Sequence, residues 1–467
     1  MPRVTGHKWD VARGRWRTLL QSVTPPQVFI GSFVFLILFG TVGLKLLPGL
    51  YTGEPLSWLD ALFTSTSAVC VTGLIVVDTA THFTWAGQAF ILVLIQLGGL
   101  GMLAFTSLII LALGRRLSLR EEALSTGTGT VAPHINPKRL TYDVVRFTLV
   151  IEAVGAVFLY MIWAPLLGWK QAVWPAVFHS VSAFCNAGFS TFSDSLISFQ
   201  RSPLTLLVIS GLIIVGGLGF LTMEEFYLRY RAGRQKAIFR ISLHSRIVVV
   251  TTAMLLFVGW VMFAVFEWEV TLAGLPLIDK LSNALFLSAT ARTAGFNAID
   301  YGKASDSGNL LTILLMLVGG SPGSTAGGIK TTTFAIIGLV AWSRLRGDDI
   351  TTFGNRSIRE ETTDRAIGVF VMSVAIVTAG VFLLTTTGHP DPKDATFLAR
   401  MFEAVSAFCT VGLTMGITDE LSTLGRWTTI LLMFLGRVGP LTLAAAITLR
   451  RRGDRSFRYA YEDVVVG

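Results

Sequence analysis

The sequence predicts an all-α polytopic membrane protein: four repeats of span, re-entrant pore helix and span, with eight transmembrane helices around one pseudo-fourfold pore. Three observations predict it. The 467-residue chain is 52% hydrophobic and only 14% charged, where soluble domains run nearer ~25% charged. Several apolar stretches have the length of a bilayer. Two glycine motifs then recur four times in register. The same composition excludes a disordered scaffold, which would be polar and poor in aromatics. The 46 Gly and 15 Pro follow no triplet period, so a collagen-like rod is excluded as well. A net charge of +9 would suit a nucleic-acid binder, but a mean hydropathy of +0.64 does not. The expected surroundings are a lipid bilayer, with no nucleic-acid partner.

Residues 86–114 form a run of 29 without an ionisable group, and 203–222 a run of 20. About 20 apolar residues cross the hydrocarbon core as a helix, so both can span. Further candidates are 27–49, 147–167, 247–266, 308–342, 366–386 and 424–449. Within each successive pair lies a shorter apolar stretch, starting near Leu59, Trp174, Leu281 and Phe397. Such lengths suit re-entrant half-helices, which are tolerated at membrane depth only inside protein or beside a wet cavity. The N-terminal tail, the loops 115–146, 229–246 and 344–365, and the tail from Arg450 hold 27 of the 38 Lys and Arg residues. By the positive-inside rule these segments, and both termini, are cytoplasmic. The long charged N-terminal stretch is not that of a cleavable signal peptide.

Four passages align: Phe63 to Gly73, Phe178 to Gly188, Phe286 to Gly295 and Phe402 to Gly412, with glycines 115, 107 and 117 residues apart. Each is followed by a second glycine cluster after 24 to 28 residues, at Gly98-Gly99-Leu-Gly101, Gly216-Gly217-Leu-Gly219, Gly319-Gly320 and Gly436-Arg437-Val-Gly439. The expected organisation is a basic tail 1–24, repeats at 25–120, 121–240, 241–350 and 351–450, and a cytoplasmic tail 451–467. The three cysteines, Cys70, Cys185 and Cys409, each stand three residues before a repeat glycine, where the third unit has Arg292. An odd count argues against a disulfide framework, and these turns lack the His or carboxylate company of a transition-metal site.

Half-helices of four units around one axis direct their C-terminal ends, each roughly half a negative charge, at a central cavity where cations gather. Glycine turns let consecutive carbonyls face inward, and rings of carbonyls can replace the hydration shell of a monovalent cation. The expected filter is Val71-Thr72-Gly73, Asn186-Ala187-Gly188, Thr293-Ala294-Gly295 and Thr410-Val411-Gly412, with Cys70, Cys185, Arg292 and Cys409 at its base. No acidic ring appears, which argues against a divalent-cation pore.

Unit three departs from the others. Its phenylalanine-to-glycine spacing is nine residues against ten elsewhere, so its half-helix or turn must differ locally. Gly319-Gly320-Ser321-Pro322-Gly323-Ser324-Thr325-Ala326-Gly327-Gly328-Ile329-Lys330 also interrupts its second span. Proline and clustered glycine break a helix, and unwound backbone at that depth must line a cavity. The segment is read as a movable gate, against a static packing kink. In unit four, Arg437 replaces Gly99, Gly217 and Gly320 of the others; it faces the ion path or ties helices together, and can hold the free carbonyls of the unwound segment. Lys330 is expected to snorkel to the cytoplasm, Glu152 to make a buried hydrogen bond or pair with a base, and Glu403 to favour its helix N-terminus.

Together these motifs, above all Asp60 to Leu74, Ser182 to Ser190, Ala291 to Phe296, Gly319 to Lys330 and Gly436 to Thr442, resemble the Trk/Ktr/HKT superfamily of potassium transporters. The resemblance covers about Pro25 to Arg450, and the start of the first span near residue 27 favours the membrane subunits of bacterial Ktr systems over TrkH-type relatives. It implies K+ as the transported ion, a K+ filter at the four turns, an intramembrane gating loop at 319–329 and a positive barrier at Arg437. It further implies Na+ dependence, residence in the bacterial cytoplasmic membrane, and a homodimer on a cytosolic ring of KtrA-type subunits. Those subunits would bind ATP, ADP or NAD, since this chain has no dinucleotide fingerprint after a strand and no organic cofactor of its own is expected. A TrkH- or HKT-like transporter with Na+ or H+ coupling is the alternative. An enzyme is not expected: His179 and Ser180 are helical neighbours, which do not face each other.

Overall fold

The computed structural model describes residues 25–101, 137–234, 241–386, 396–440 and 442–443. The expected basic tail, residues 102–136 of the second span and its cytoplasmic loop, and the C-terminal tail lie outside them. The described chain is mostly helical. Unit one comprises α1 (Pro25–Leu46), α2 (Trp58–Val69), α3 (Thr79–His82) and α4 (Trp85–Gly101). Unit two has α5 (Pro137–Leu167), α6 (Val173–Cys185), α7 (Pro203–Leu218) and α8 (Phe220–Arg234). Unit three has α9 (Leu243–Phe266), α10 (Leu277–Thr290), α11 (Asp306–Leu317) and α12 (Thr331–Leu345). Unit four has α13 (Glu360–Thr386), α14 (Phe397–Cys409) and α15 (Thr423–Val438). A hairpin of two-residue strands, Thr352–Phe353 and Arg356–Ser357, joins units three and four.

Local chemistry sets where the helices begin. Ser57, Thr396, Ser305 and Ser422 each accept a backbone N–H of their first turn, capping α2, α14, α11 and α15. Among the described residues, four helices are long and apolar enough to cross a membrane: Pro26–Leu46, Tyr142–Leu167, Leu243–Phe266 and Glu360–Thr386, the first long helix of each unit. The second long helix behaves differently from the continuous spans expected at 203–222 and 424–449. α7 and α8 meet at 97°, at Gly219, and α15 stops at Gly439; both glycines have φ +82. That conformation ends a right-handed helix and is open to glycine at little cost. In unit three the helix is interrupted altogether between Leu317 and Thr331.

The first long helix packs on the short helix of its own unit, as α1 on α2, α5 on α6, α9 on α10 and α13 on α14. Gly40, Gly155 and Gly259 make room for this: a methyl there would strike the hydroxyls of Ser65, Ser180 and Ser288. Those hydroxyls donate to the carbonyls of Ile37 (2.7 Å), Glu152 (2.6 Å) and Leu256 (2.9 Å), one helical turn before each glycine. The second long helix packs on the short helix of the next unit: α7 on α10, α11 on α14 and α15 on α2. Trp174 Nε1 donates to Gln88 Oε1 (2.7 Å), joining α6 to α4. The units therefore close on themselves, and an Arg426–Asp60 ion pair joins the fourth back to the first. At the centre the repeat phenylalanines Phe63, Phe178, Phe286 and Phe402 are all fully buried.

The tightest crossings lie within units, where Gly98, Gly216 and Gly436 meet the carbonyls of Val69, Phe184 and Phe408 with no space for a Cβ. Gly436→Ala is therefore expected to destabilise the purified protein by about 1–3 kcal/mol through overpacking. Gly211→Ala, with nothing within 4 Å of the added carbon, should leave the unfolding temperature near the parent's. Thermal unfolding in detergent compares the two.

Candidate functional site

The short helices end in a shared backbone pattern. Among the described residues, five residues other than glycine have positive φ, and four of them are Val71, Asn186, Thr293 and Thr410. Each stands two residues before a repeat glycine, and Gly73, Gly188, Gly295 and Gly412 also have positive φ, at +96, +70, +80 and +95. The residues between, Thr72, Ala187, Ala294 and Val411, are not in that region. Alternation of this kind turns successive carbonyls toward one side of the strand. A non-glycine residue in the left-handed region is strained, so four such residues at one repeat position mark a conformation that the surroundings enforce.

The four strands meet. A methyl on Gly73 would lie 3.0 Å from the Gly188 Cα, one on Gly188 3.0 Å from the Gly295 Cα, one on Gly295 3.2 Å from the Gly412 Cα, and one on Gly412 3.1 Å from the Gly73 Cα. The contacts run in chain order and close into a ring. All sixteen residues from Cys70, Cys185, Arg292 and Cys409 to the ring glycines are brought to this one place. The three thiols are free and buried.

Hydroxyls one layer behind the strands hold them, a role the sequence reading did not assign. Ser67 and Ser406 accept the Gly73 and Gly412 N–H at 3.0 and 3.1 Å. Ser182 donates to the Phe189 carbonyl (2.8 Å), and Thr290 accepts the Phe296 N–H (2.9 Å) while donating to its carbonyl (2.8 Å). The signal was present: each is the fourth residue after the repeat phenylalanine. Unit three absorbs its missing residue in the helix exit. Thr72, Ala187 and Val411 donate N–H bonds to the carbonyl five residues back, whereas Ala294 donates to Thr290, four back.

Directly against this ring lies the irregular segment 318–330, buried along most of its length. Val318 bridges Ile329 in parallel, so the two ends of the loop run side by side. Ser321 N donates to Gly217 O (2.9 Å), Phe220 N to Gly323 O (3.0 Å) and Thr325 Oγ1 to Phe184 O (3.1 Å), which fastens the loop to unit two at its bend. Gly327 and Gly328 pack on Thr410 and Cys409 of unit four. Arg437, 1% exposed, donates from Nη1 to Thr325 O and from Nη2 to Gly98 O (3.2 Å). The guanidinium thus joins the loop to units one and four, and it forms no ion pair among the described residues.

The expectations for Lys330 and Glu403 change, while Glu152 makes the buried hydrogen bond expected of it and His179 and Ser180 face apart as expected. Lys330 does not snorkel: its Nζ turns back to the Ala326 carbonyl at 2.6 Å, inside the loop. The backbone around Ala326 is not helical, so its carbonyl takes the lysine ammonium as a donor. Glu403 serves the outer connection rather than its own helix end, accepting the hydroxyls of Thr414 (2.8 Å) and Thr418 (2.7 Å). Glu152 accepts from Gln96 Nε2 (3.1 Å) and lies beside the Cys185 thiol. His179 and Ser180 part company: the ring pairs with Ser190 Oγ (2.9 Å), and Ser180 donates to Glu152 O.

The chain matches the TrkH family, described as cation transport proteins, over residues 15–459. It is 40% identical to the Ktr system potassium uptake protein B of Vibrio alginolyticus over 444 residues, 95% of each chain. It is 39% identical to the Ktr system potassium uptake protein B of Bacillus subtilis, covering 95% of this chain and 97% of that one. It is 36% identical to the potassium/sodium uptake protein NtpJ of Enterococcus hirae, covering 95% and 98%. The crystal structure of the potassium transporter TrkH from Vibrio parahaemolyticus shares the fold, with a TM-score of 0.71 at 18% identity over 91% of this chain and 86% of that one.

The hydroxyl braces make a direct prediction. Ser406→Ala leaves the buried Gly412 N–H without a partner, which costs about 1–3 kcal/mol, and Ser67→Ala should act alike on Gly73. Ser406→Thr, which retains the hydroxyl, should stay close to the parent in the same thermal-unfolding measurement.

Proposed function

The chain belongs to the TrkH family of cation transport proteins, and from that premise we propose that it takes up K+ across the bacterial cytoplasmic membrane through a channel-like pore. Eight spans in four units surround that pore, and the four turns ending in Gly73, Gly188, Gly295 and Gly412 are its selectivity filter. The observation that carries this reading is the closed ring of four glycines, each preceded by a left-handed residue. Moving a bare ion into a low-dielectric interior costs on the order of 20 kcal/mol in the idealised limit. Inward carbonyls from four strands offset that cost without a fixed charge, so the ion is held weakly enough to leave. Thr72, Ala187, Ala294 and Val411, flanked by positive-φ residues on both sides, supply carbonyls from the same strands.

The loop 319–329 is the gate in this reading. It lies across the base of the filter, and its fastening to Gly217, Phe184 and Arg437 describes a closed arrangement. Arg437 acts in two ways: it holds the Thr325 carbonyl, and its charge opposes a cation leaving the filter. Opening requires the loop to release at least these bonds. A KtrA-type nucleotide-binding partner, suggested by the Ktr-system relatives, would drive that release from the cytosol. The chain would function as a homodimer with a pore in each protomer.

Uptake of K+, Rb+ and Na+ by a K+-uptake-deficient bacterium expressing the chain, with and without a KtrA-type partner, tests the reading. Growth rescue at low K+ with K+ and Rb+ favoured over Na+ is expected; uptake that does not discriminate would overturn the K+ assignment. Adding and omitting Na+ in the same assay decides between Na+-dependent and independent transport. Gly73→Ser or Gly188→Ser should lower K+ over Na+ discrimination in reconstituted vesicles, since any Cβ there meets the neighbouring strand. Deleting 321–327 should raise K+ flux, and flux at or below the parent's would sink the gate.

A further inference from the structure

Unit three lacks the crossing that ties filter to helix in the other three units. Gly98, Gly216 and Gly436 each press on a short-helix carbonyl, at Val69, Phe184 and Phe408, four residues before the filter glycine of the same unit. The corresponding Gly319 meets instead the Gly327 carbonyl of its own loop and, at 3.2 Å, the Thr293 methyl. No short-helix carbonyl is among its nearest neighbours. The missing contact is supplied by a side chain. Arg292 occupies the position of Cys70, Cys185 and Cys409, is 7% exposed, and donates from Nη2 to the Gly319 carbonyl at 3.2 Å. Its Nε has no hydrogen-bond partner, and no carboxylate pairs with it among the described residues. A small thiol could not reach across; a guanidinium on a three-carbon stem does.

Gly319 is where the helix stops. Val318 N makes the last helical bond, to Leu315 O (3.1 Å), and Gly319 N already pairs with Ile329 O (2.9 Å). The group held by Arg292 is thus the hinge of the loop rather than its middle, which Arg437 holds through Thr325. We propose that Arg292 is a positioning residue, a latch that fastens the hinge of the 319–329 loop to the base of the third filter strand. The latch rests on the reading of that loop as a gate. It assigns Arg292 to gating and removes it from the ion-lining set. It also gives the shorter helix exit of unit three a purpose. A direct glycine crossing would clamp the loop permanently to the filter, whereas one long side chain can let go without disturbing the filter backbone.

The experiment uses the full chain in proteoliposomes, reading Rb+ uptake and K+ over Na+ preference for Arg292→Met and Arg292→Lys. Each is made in the parent and in the 321–327 deletion. Arg292→Met should raise Rb+ uptake roughly tenfold, the effect of losing one charge-assisted hydrogen bond on a two-state equilibrium. Arg292→Lys, which keeps a donor and the charge, should stay near the parent. With the loop deleted, Arg292→Met should add nothing, and ion preference should be unchanged throughout. A deletion that raises uptake while Arg292→Met does not overturns the latch alone; a deletion without effect overturns the gate and the latch with it. A change of ion preference by Arg292→Met in the deletion background would return the residue to the filter and overturn the proposal. Labelling of Ser324→Cys by a membrane-impermeant thiol reagent gives a readout independent of flux. Ser324 is fully buried, so faster labelling with Arg292→Met is expected and an unchanged rate counts against the latch.

Discussion

The structure depends on backbone meeting backbone with no Cβ between. Four central strands touch through glycine Cα atoms, and three of the four inner crossings place a glycine under a short-helix carbonyl. Each contact is possible only because the residue has no side chain, and each brings a carbonyl-rich turn to the centre of an apolar bundle. Everything else accommodates that closeness. The short helices stop after about a dozen residues, a left-handed residue redirects the chain, and a layer of Ser and Thr hydroxyls satisfies the N–H and C=O groups that lost helical partners. Unsatisfied, such groups would be costly in lipid. On the proposed reading, the same arrangement makes unpaired carbonyls available to a dehydrated ion.

Much of this was legible in the sequence because it repeats. A single glycine in an apolar run says little, but Gly73, Gly188, Gly295 and Gly412 at matched offsets from buried phenylalanines identify the turn. The hydroxyl braces sat in the same aligned columns: Ser65, Ser180 and Ser288 in one, Ser67, Ser182, Thr290 and Ser406 in another. They went unassigned because their partners are backbone groups that only the folded chain brings near, on another helix as with Ser65 and Ile37, or beyond the turn as with Ser67 and Gly73. The bend at Gly219 was also hidden. Hydropathy over 203–222 is that of a continuous span, and whether a glycine continues a helix or adopts φ +82 depends on the loop it must clear, here Ser321 to Gly323. Lys330 misled for a related reason, since snorkelling assumes that nothing nearer needs a donor, and the unwound loop offers the Ala326 carbonyl.

Charge magnitudes separate the parts of the proposed gate. Four helix C-termini of about half a negative charge each place roughly −2 around the ring of glycines, while Arg292, Arg437 and Lys330, each hydrogen-bonded to a loop carbonyl, bring a formal +3. On the proposed reading these cations offset what attracts an ion while the loop is in place. Repulsion is nevertheless modest: two unit charges about 8 Å apart at an effective dielectric of about 20 repel by about 2 kcal/mol, a factor of roughly thirty in rate. A single arginine slows a cation but does not seal a pore. On the proposed reading the seal comes from the loop backbone, which is mostly buried and packed against the four turns. Arg437 is then most effective as a tether, donating to Thr325 O and Gly98 O at once, and its charge sets how readily an ion follows when the loop withdraws. A neutral side chain that kept both hydrogen bonds would, on these magnitudes, leave the gate closed while easing passage once it opened.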